Sequence, residues 1–184
     1  AGRGKFSNVK TARINKSNYY INDKINFIDQ LTKEITKIAA KSIKQNKKIA
    51  IRLNGTTDQD FIALLKKYNN IDLLNDKEYK NIIFYDYTAI LGKLKKYINT
   101  NYHLTLSRKE DNEEDILKAL RFGGNVAAVF KNGLPKKYKG YEVIDGDKSD
   151  LEMIYNKNVI LGLTAKGDAK KDKSGFVLDN INLN

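Results

Sequence analysis

Three short runs, "NIIFYDY" from Asn81, "NVAAVF" from Asn125 and "VILGL" from Val159, are apolar along nearly their whole length. A strand with one wet face alternates apolar and polar residues, so unbroken runs of this kind belong to strands covered on both faces. Three further segments, "IAIRLNG" from Ile49, "YHLTLS" from Tyr102 and "YEVI" from Tyr141, also read as strands. Between them lie helical patterns: "TTDQDFIALLKKY", "AILGKLKKYI", "KEDNEEDILKALRFGG" and the short "KSDLEMIY". Strands that alternate with helices imply crossover connections and a parallel sheet. The expected fold is α/β, with a mostly parallel sheet of about six strands in an open or partial (β/α) barrel, and a doubly wound open sheet as the alternative. A closed eight-unit barrel usually needs ~250 residues, more than the 184 here.

The first long helical stripe is "NDKINFIDQLTKEITKIAAKSIKQ". There Ile25, Ile28, Leu31, Ile35, Ile38 and Ile43 recur at helical steps, and Asn22 or Asp23 is placed to cap. Thr57 or Asp58 is the expected cap of the next helix. "NEED" from Asn112 is an acidic helix start, and Gly123-Gly124 stop that helix.

The length suits one domain, 1–184. The chain opens on Ala1 rather than Met, in a segment that reads mid-protein, as processing, trimming or a truncated reading frame would each produce. No apolar run approaches the ~20 residues a membrane helix needs, and no signal-peptide core follows the N-terminus. With no cysteine, the chain offers no disulfide and no thiolate ligands for an iron–sulfur cluster. A cytoplasmic protein without a membrane partner is the expectation; oligomeric state is open.

The net charge is +12. A basic surface attracts polyanions, and nucleic acid is the first candidate partner. Lysine far outnumbers arginine, and Asn and Ile are abundant, which AT-rich coding produces without selection for binding.

Ligands of parallel α/β sheets usually gather at the carboxyl ends of the strands. The first strand leads into Arg52 and Asn54, the second into Tyr87 and Thr88, and the third into Ser107. These are the candidate substrate-binding residues. "YEVI" leads into "IDGDKSD", which puts Asp145, Asp147 and Asp150 within a few residues of one another. An Asp-Gly hairpin needs an immediate return strand, whereas a helical turn follows here. The three carboxylates therefore sit at a strand-to-helix junction and are the candidate catalytic or pocket-lining residues. Asp147 or Ser149 alternatively caps the following helix. Oxygen ligands at Asp145 and Asp147 would suit Mg²⁺ or Mn²⁺ rather than zinc.

"LTAKGDAKKDKSGF" supplies the candidate phosphate-binding residues Lys166, Lys170, Lys171 and Lys173, with Gly167 and Gly175 between and after them. It lacks the Gly-Lys-Ser/Thr of a Walker loop, and a solvated charged loop is the competing reading. His103 lies in an apolar strand and reads as a core residue. Tyr19, Tyr20, Tyr85 and Tyr87 could stack on bases, although packing is the commoner use.

Taken in order, "AGRGKFSNVKTAR", "IRLNGTTD", "FYDYT", "NYHLTLSR", "VIDGDKSD" and "GLTAKGDAKKDKSGFV" resemble a family of uncharacterised tailed-phage proteins over nearly the whole chain. In that family the AGRG-like start follows a cysteine-rich stretch that this chain lacks. That stretch, with a partial barrel behind it, is loosely similar to radical-SAM-type enzymes. The resemblance implies a phage setting, hence the host cytoplasm, and no reaction. Its matching polar positions are Arg52, Asn54, Asp58, Tyr87, Thr88, Ser107, Asp145, Asp147, Asp150, Lys166 and Lys171, and the resemblance thereby adds Asp58 to the candidate substrate-binding residues. The expected function is to bind or process nucleic acid through a pocket at the strand ends. The alternatives are an enzyme acting on a phosphorylated small molecule or nucleotide, and a non-catalytic virion or assembly component.

Overall fold

The computed structural model describes residues 6–179. They contain six α-helices and an eight-stranded, mostly parallel sheet that is not closed into a barrel. The open α/β architecture expected from the apolar runs is what forms. All six expected strands are present, and two strands of two residues each are added to them. The chain falls into two compact units, Ala1–Phe84 and Tyr85–Asn184.

In the first unit α1 (Ser7–Asn22) is followed at once by α2 (Lys24–Lys44), β1 (Ile49–Arg52) and α3 (Phe61–Asn69). The α1 helix was not foreseen, because it has no apolar stripe and none of its residues is buried. The α2 stripe narrows in the structure to Ile28, Ile35, Ala39 and Ser42, while Ile25 and Ile43 are exposed. Against it α3 packs Phe61, Ile62 and Leu65. Burying each large aliphatic side chain contributes about 1.5–3 kcal/mol. Asn69 ties the two helices together, its amide donating to Asp29 Oδ1 at 3.0 Å and to Thr32 Oγ1 at 2.9 Å.

The cap of α3 is neither Thr57 nor Asp58 but Asp60, whose carboxylate accepts the Ala63 N–H at 3.1 Å. Asp23 occupies the start of α2 without a side-chain bond to the helix backbone; it accepts from the Asn26 amide instead, at 2.8 Å.

The second strand, β2 (Ile82–Thr88), ends in the second unit, which continues with α4 (Leu91–Tyr97), β3 (Tyr102–Ser107), α5 (Glu113–Arg121) and β4 (Asn125–Phe130). Then come β5 (Lys137–Tyr138), β6 (Tyr141–Asp145), α6 (Glu152–Tyr155), β7 (Ile160–Thr164) and β8 (Val177–Leu178). In this unit the strands run β3-β4-β7-β6-β5, parallel except for the β5–β6 pair. The register sets Ser107 beside Ala127, and Ala127 and Ile144 beside Leu161. Ala127, Met153, Val159 and Leu161 form a buried cluster, against which Tyr85, Tyr87 and Leu163 pack. The tyrosines of β2 are thus core-edge residues.

The parallel edge of β4 is shared. β3 pairs with it as far as Ala127, and β8 takes over at Val129 and Phe130. Among the described residues no helix is long and apolar enough to cross a membrane.

Candidate functional site

The loop after β6 is built by glycine and carboxylate together. Gly146 donates its N–H to Gly162 O at 2.9 Å, so the ladder continues one residue past the strand. A Cβ at Gly146 would stand 3.2 Å from both Leu161 Cβ and Leu163 Cδ2, leaving little room for any other residue. Asp145 Oδ1 accepts the Asp147 N–H at 3.0 Å, a local turn that aims Asp147 across to the end of β7. There Asp147 Oδ2 accepts the Thr164 N–H at 2.9 Å and Oδ1 accepts from Lys166 Nζ at 2.7 Å. Partial burial pushes this carboxyl up, but the Lys166 ammonium and Thr164 outweigh it, and the net displacement is below the ordinary aspartate value.

Asp150 faces a different partner, accepting from Tyr87 OH at 3.3 Å. Ser149, not Asp147, serves the following helical turn: its Oγ accepts the Leu151 N–H at 3.1 Å. The three candidate carboxylates are therefore neighbours in the chain that hold separate contacts. Among the described residues no group of three or more His, Asp or Glu side chains is arranged to hold a metal ion. A cation at Asp147 would have to displace Lys166.

Of the lysines, Lys166 is thus committed to an ion pair, whereas Lys170, Lys171 and Lys173 stand exposed on a short 3-10 turn, Gly167–Lys171, and the loop after it. Positive φ at Gly167 (58°) and Gly175 (94°) lets the loop reverse direction at each end. Asp172 shapes its return, accepting from Ser174 Oγ at 2.8 Å and from the Val177 N–H at 3.1 Å, which holds its carboxyl below the ordinary value. Arg108, which directly follows β3, fixes the same segment from beneath. Its guanidinium donates to Gly175 O and, at 2.8 Å, to Phe176 O. Glu113 Oε2 lies 4.0 Å from Arg108 Nε, too far for a hydrogen bond, so that contact is one of charge alone. Glu113 also pairs with Lys139 Nζ at 2.6 Å.

The Thr88 side chain serves the backbone, whereas Ser107 is held through its own carbonyl. Thr88 is buried and its Oγ1 accepts the Ile90 N–H at 3.1 Å, while Ser107 O accepts from the Asn112 amide at 2.9 Å. In the first unit Asn54 is likewise a loop builder, 2 % exposed. Its Oδ1 takes Thr57 Oγ1 at 2.7 Å and the Gln59 N–H at 3.0 Å, and its Nδ2 donates to Gln59 O at 3.0 Å. Exposed Arg52 donates from Nε to Asn54 O at 3.0 Å, and Asp58 lies half-buried on the same loop. The substrate-binding candidates therefore fall into two sets, Arg52, Asn54 and Asp58 in the first unit and Tyr87, Thr88 and Ser107 in the second.

A family model described as "Gene product 88" matches residues 1–180. The chain belongs to the gene product 88 family. No curated protein matches it, and no solved structure does.

Two features of this gene product 88 chain escaped the sequence reading. Arg108 was passed over, because nothing local says that an arginine after a strand will be buried under a loop almost seventy residues downstream. The distribution of charge was also missed, although simple counting finds it. Residues 1–84 hold seventeen Lys and Arg against eight Asp and Glu, whereas residues 85–184 hold seventeen against fourteen. The basic excess of this family member thus lies mostly in its first unit.

Proposed function

We propose that this phage-type gene product binds nucleic acid in the host cytoplasm, with the loop after β7 contacting the phosphate backbone. The observation that carries the reading is the lysine loop. Lys170, Lys171 and Lys173 are exposed together on a segment whose backbone is held by Arg108 and Asp172. A loop that is already ordered loses little conformational freedom on binding. It also leaves the carboxyl end of a parallel strand, where ligands of such sheets gather. Asp147 has the role of setting the loop through Lys166, and Asp145 of setting Asp147. Processing, if the protein carries it out, would fall to Asp145, Asp147 and Asp150. The radical-SAM likeness plays no part in this reading, since the chain has no cysteine to bind a cluster.

The test is fluorescence anisotropy with single-stranded DNA, duplex DNA and RNA over a salt series, for the wild type and for Lys170→Glu/Lys171→Glu/Lys173→Glu. On single strands log Kobs falls with log salt at a slope of about −0.7 per phosphate contacted, so losing three contacts should flatten the slope by about 2. Unchanged affinity and slope in the triple variant would falsify the assignment of the loop.

A further inference from the structure

In the first unit α1, α2 and the exit of β1 enclose a groove of about 730 Å³, within the range of sites that bury small ligands. Its floor is apolar, made by Leu31, Ile35 and Ile38 of α2 with Ile51 of β1. Its rim is cationic: Arg13 and Lys16 come from α1 and Arg52 from the end of β1, against Glu34 as the one carboxylate lining it among the described residues. Aromatic rings stand at its side, with Phe27 5.5 Å from Tyr19 and 5.3 Å from Tyr20, both edge-to-face. The groove persists because α1 lies along it without burying a single residue.

We propose that this groove is a binding site for single-stranded nucleic acid, taking an unstacked base against the tyrosine and phenylalanine rings while Arg13, Lys16 and Arg52 meet the flanking phosphates. Charge complementarity chooses the polyanion, since the groove opens from the unit that holds most of the basic excess. The rings and the depth choose the single strand. A base can enter an enclosed groove only when it is splayed out of the stack, and aromatic side chains are the usual platform for such bases. The inference rests on the nucleic-acid reading but not on the lysine loop, which belongs to the other unit.

The test compares a short oligothymidylate with a blunt duplex. Arg13→Glu/Lys16→Glu should weaken the single strand at least tenfold. The charge-matched control Lys37→Glu/Lys41→Glu, on exposed α2 positions outside the groove, should cost much less. Tyr20→Phe should bind as the wild type does, and Tyr20→Ala about tenfold more weakly, the scale of one lost base stack. A strand carrying 4-thiothymidine should cross-link to Tyr19, Tyr20 or Phe27, a readout that needs no variant to fold. Equal losses in the groove and control pairs, or cross-links confined to residues 85–179, overturn the proposal. So does displacement of the strand by stoichiometric oleate, which would make the groove a lipid site. Cross-links in the groove that survive reversal of Lys170, Lys171 and Lys173 uphold it while removing the loop. A wild type that binds no nucleic acid ends both readings.

Discussion

Lys166 Nζ sits 2.7 Å from Asp147 Oδ1, so the first lysine of the basic loop is neutralised by the middle carboxylate of the loop after β6. The pair joins the exits of two parallel strands side by side in the sheet. It also removes Lys166 from the charge that a phosphate would meet, leaving Lys170, Lys171 and Lys173.

Asp147→Asn keeps the size of the side chain and an oxygen for the Thr164 N–H but releases Lys166. Both partners are partly exposed, so the expected loss is about 0.5–1 kcal/mol, read by denaturant unfolding. Affinity for nucleic acid should rise a few-fold, since one ammonium is freed. The aspartate is displaced below its ordinary value of 3.8. Its contribution is therefore complete above that value and is lost as pH falls through the lower value of the folded state. The wild type and variant stabilities should converge on acidification.

Arg108→Met removes two charge-assisted bonds to Gly175 O and Phe176 O. Hydrogen bonds to charged groups contribute about 1.5–3 kcal/mol each, so a loss of at least 2 kcal/mol is expected. Hydrogen exchange should accelerate in residues 172–178 well before it does in β4. Arg108→Lys should fail to restore protection, because an ammonium cannot reproduce the guanidinium fork. Restoration by lysine would show that charge, not the fork, holds the loop.

Gly162→Ala places a methyl 2.7 Å from Val143 Cγ1 and 2.8 Å from Leu134 Cδ2. Leu134 Cδ2 ends a flexible side chain and can give way, but Val143 Cγ1 belongs to a stiff β-branched one, so the cost should fall toward the upper end of the ~1–3 kcal/mol range of core overpacking. A neutral result in thermal unfolding would mean that the β6–β7 contact is looser than its geometry.

His103, the single histidine, is half-buried beside Asn125, Asn156 and Lys157 in a cavity of about 200 Å³. Burial first, and then the Lys157 ammonium, push its pKa below 6.5. Between 6.5 and that lower value the unfolded chain binds more protons than the folded one, so stability declines as pH drops through this window. Its one imidazole resonance should titrate below 6.5 by NMR, and His103→Gln should flatten the dependence of Tm over that window. A titration at or above 6.5 would contradict the burial.

What the sequence showed, and what it hid, follows from the range of the forces involved. The long strands were legible because burial on both faces leaves an unbroken apolar run, as in "NVAAVF". α1 was invisible because a helix that buries nothing needs no stripe. β5 and β8, two residues each, exist only through their pairing with β6 and β4. The α3 cap was misplaced because Thr57, Asp58 and Asp60 are all able acceptors. The choice falls to Asn54, which bends the chain by taking the Thr57 hydroxyl. The acidic loop was found at its strand end, but not its partners: Lys166 and Tyr87 reach Asp147 and Asp150 only after the sheet is assembled.

The shared edge of β4 has a consequence for synthesis. Its first half is covered by β3, which precedes it, and its second half by β8, which leaves the ribosome long after it. Units generally fold in the order in which they are made. This one holds a β4 edge open at Val129 and Phe130 until Val177 and Leu178 arrive. Nascent chains paused before β8 should therefore be the species that chaperones engage.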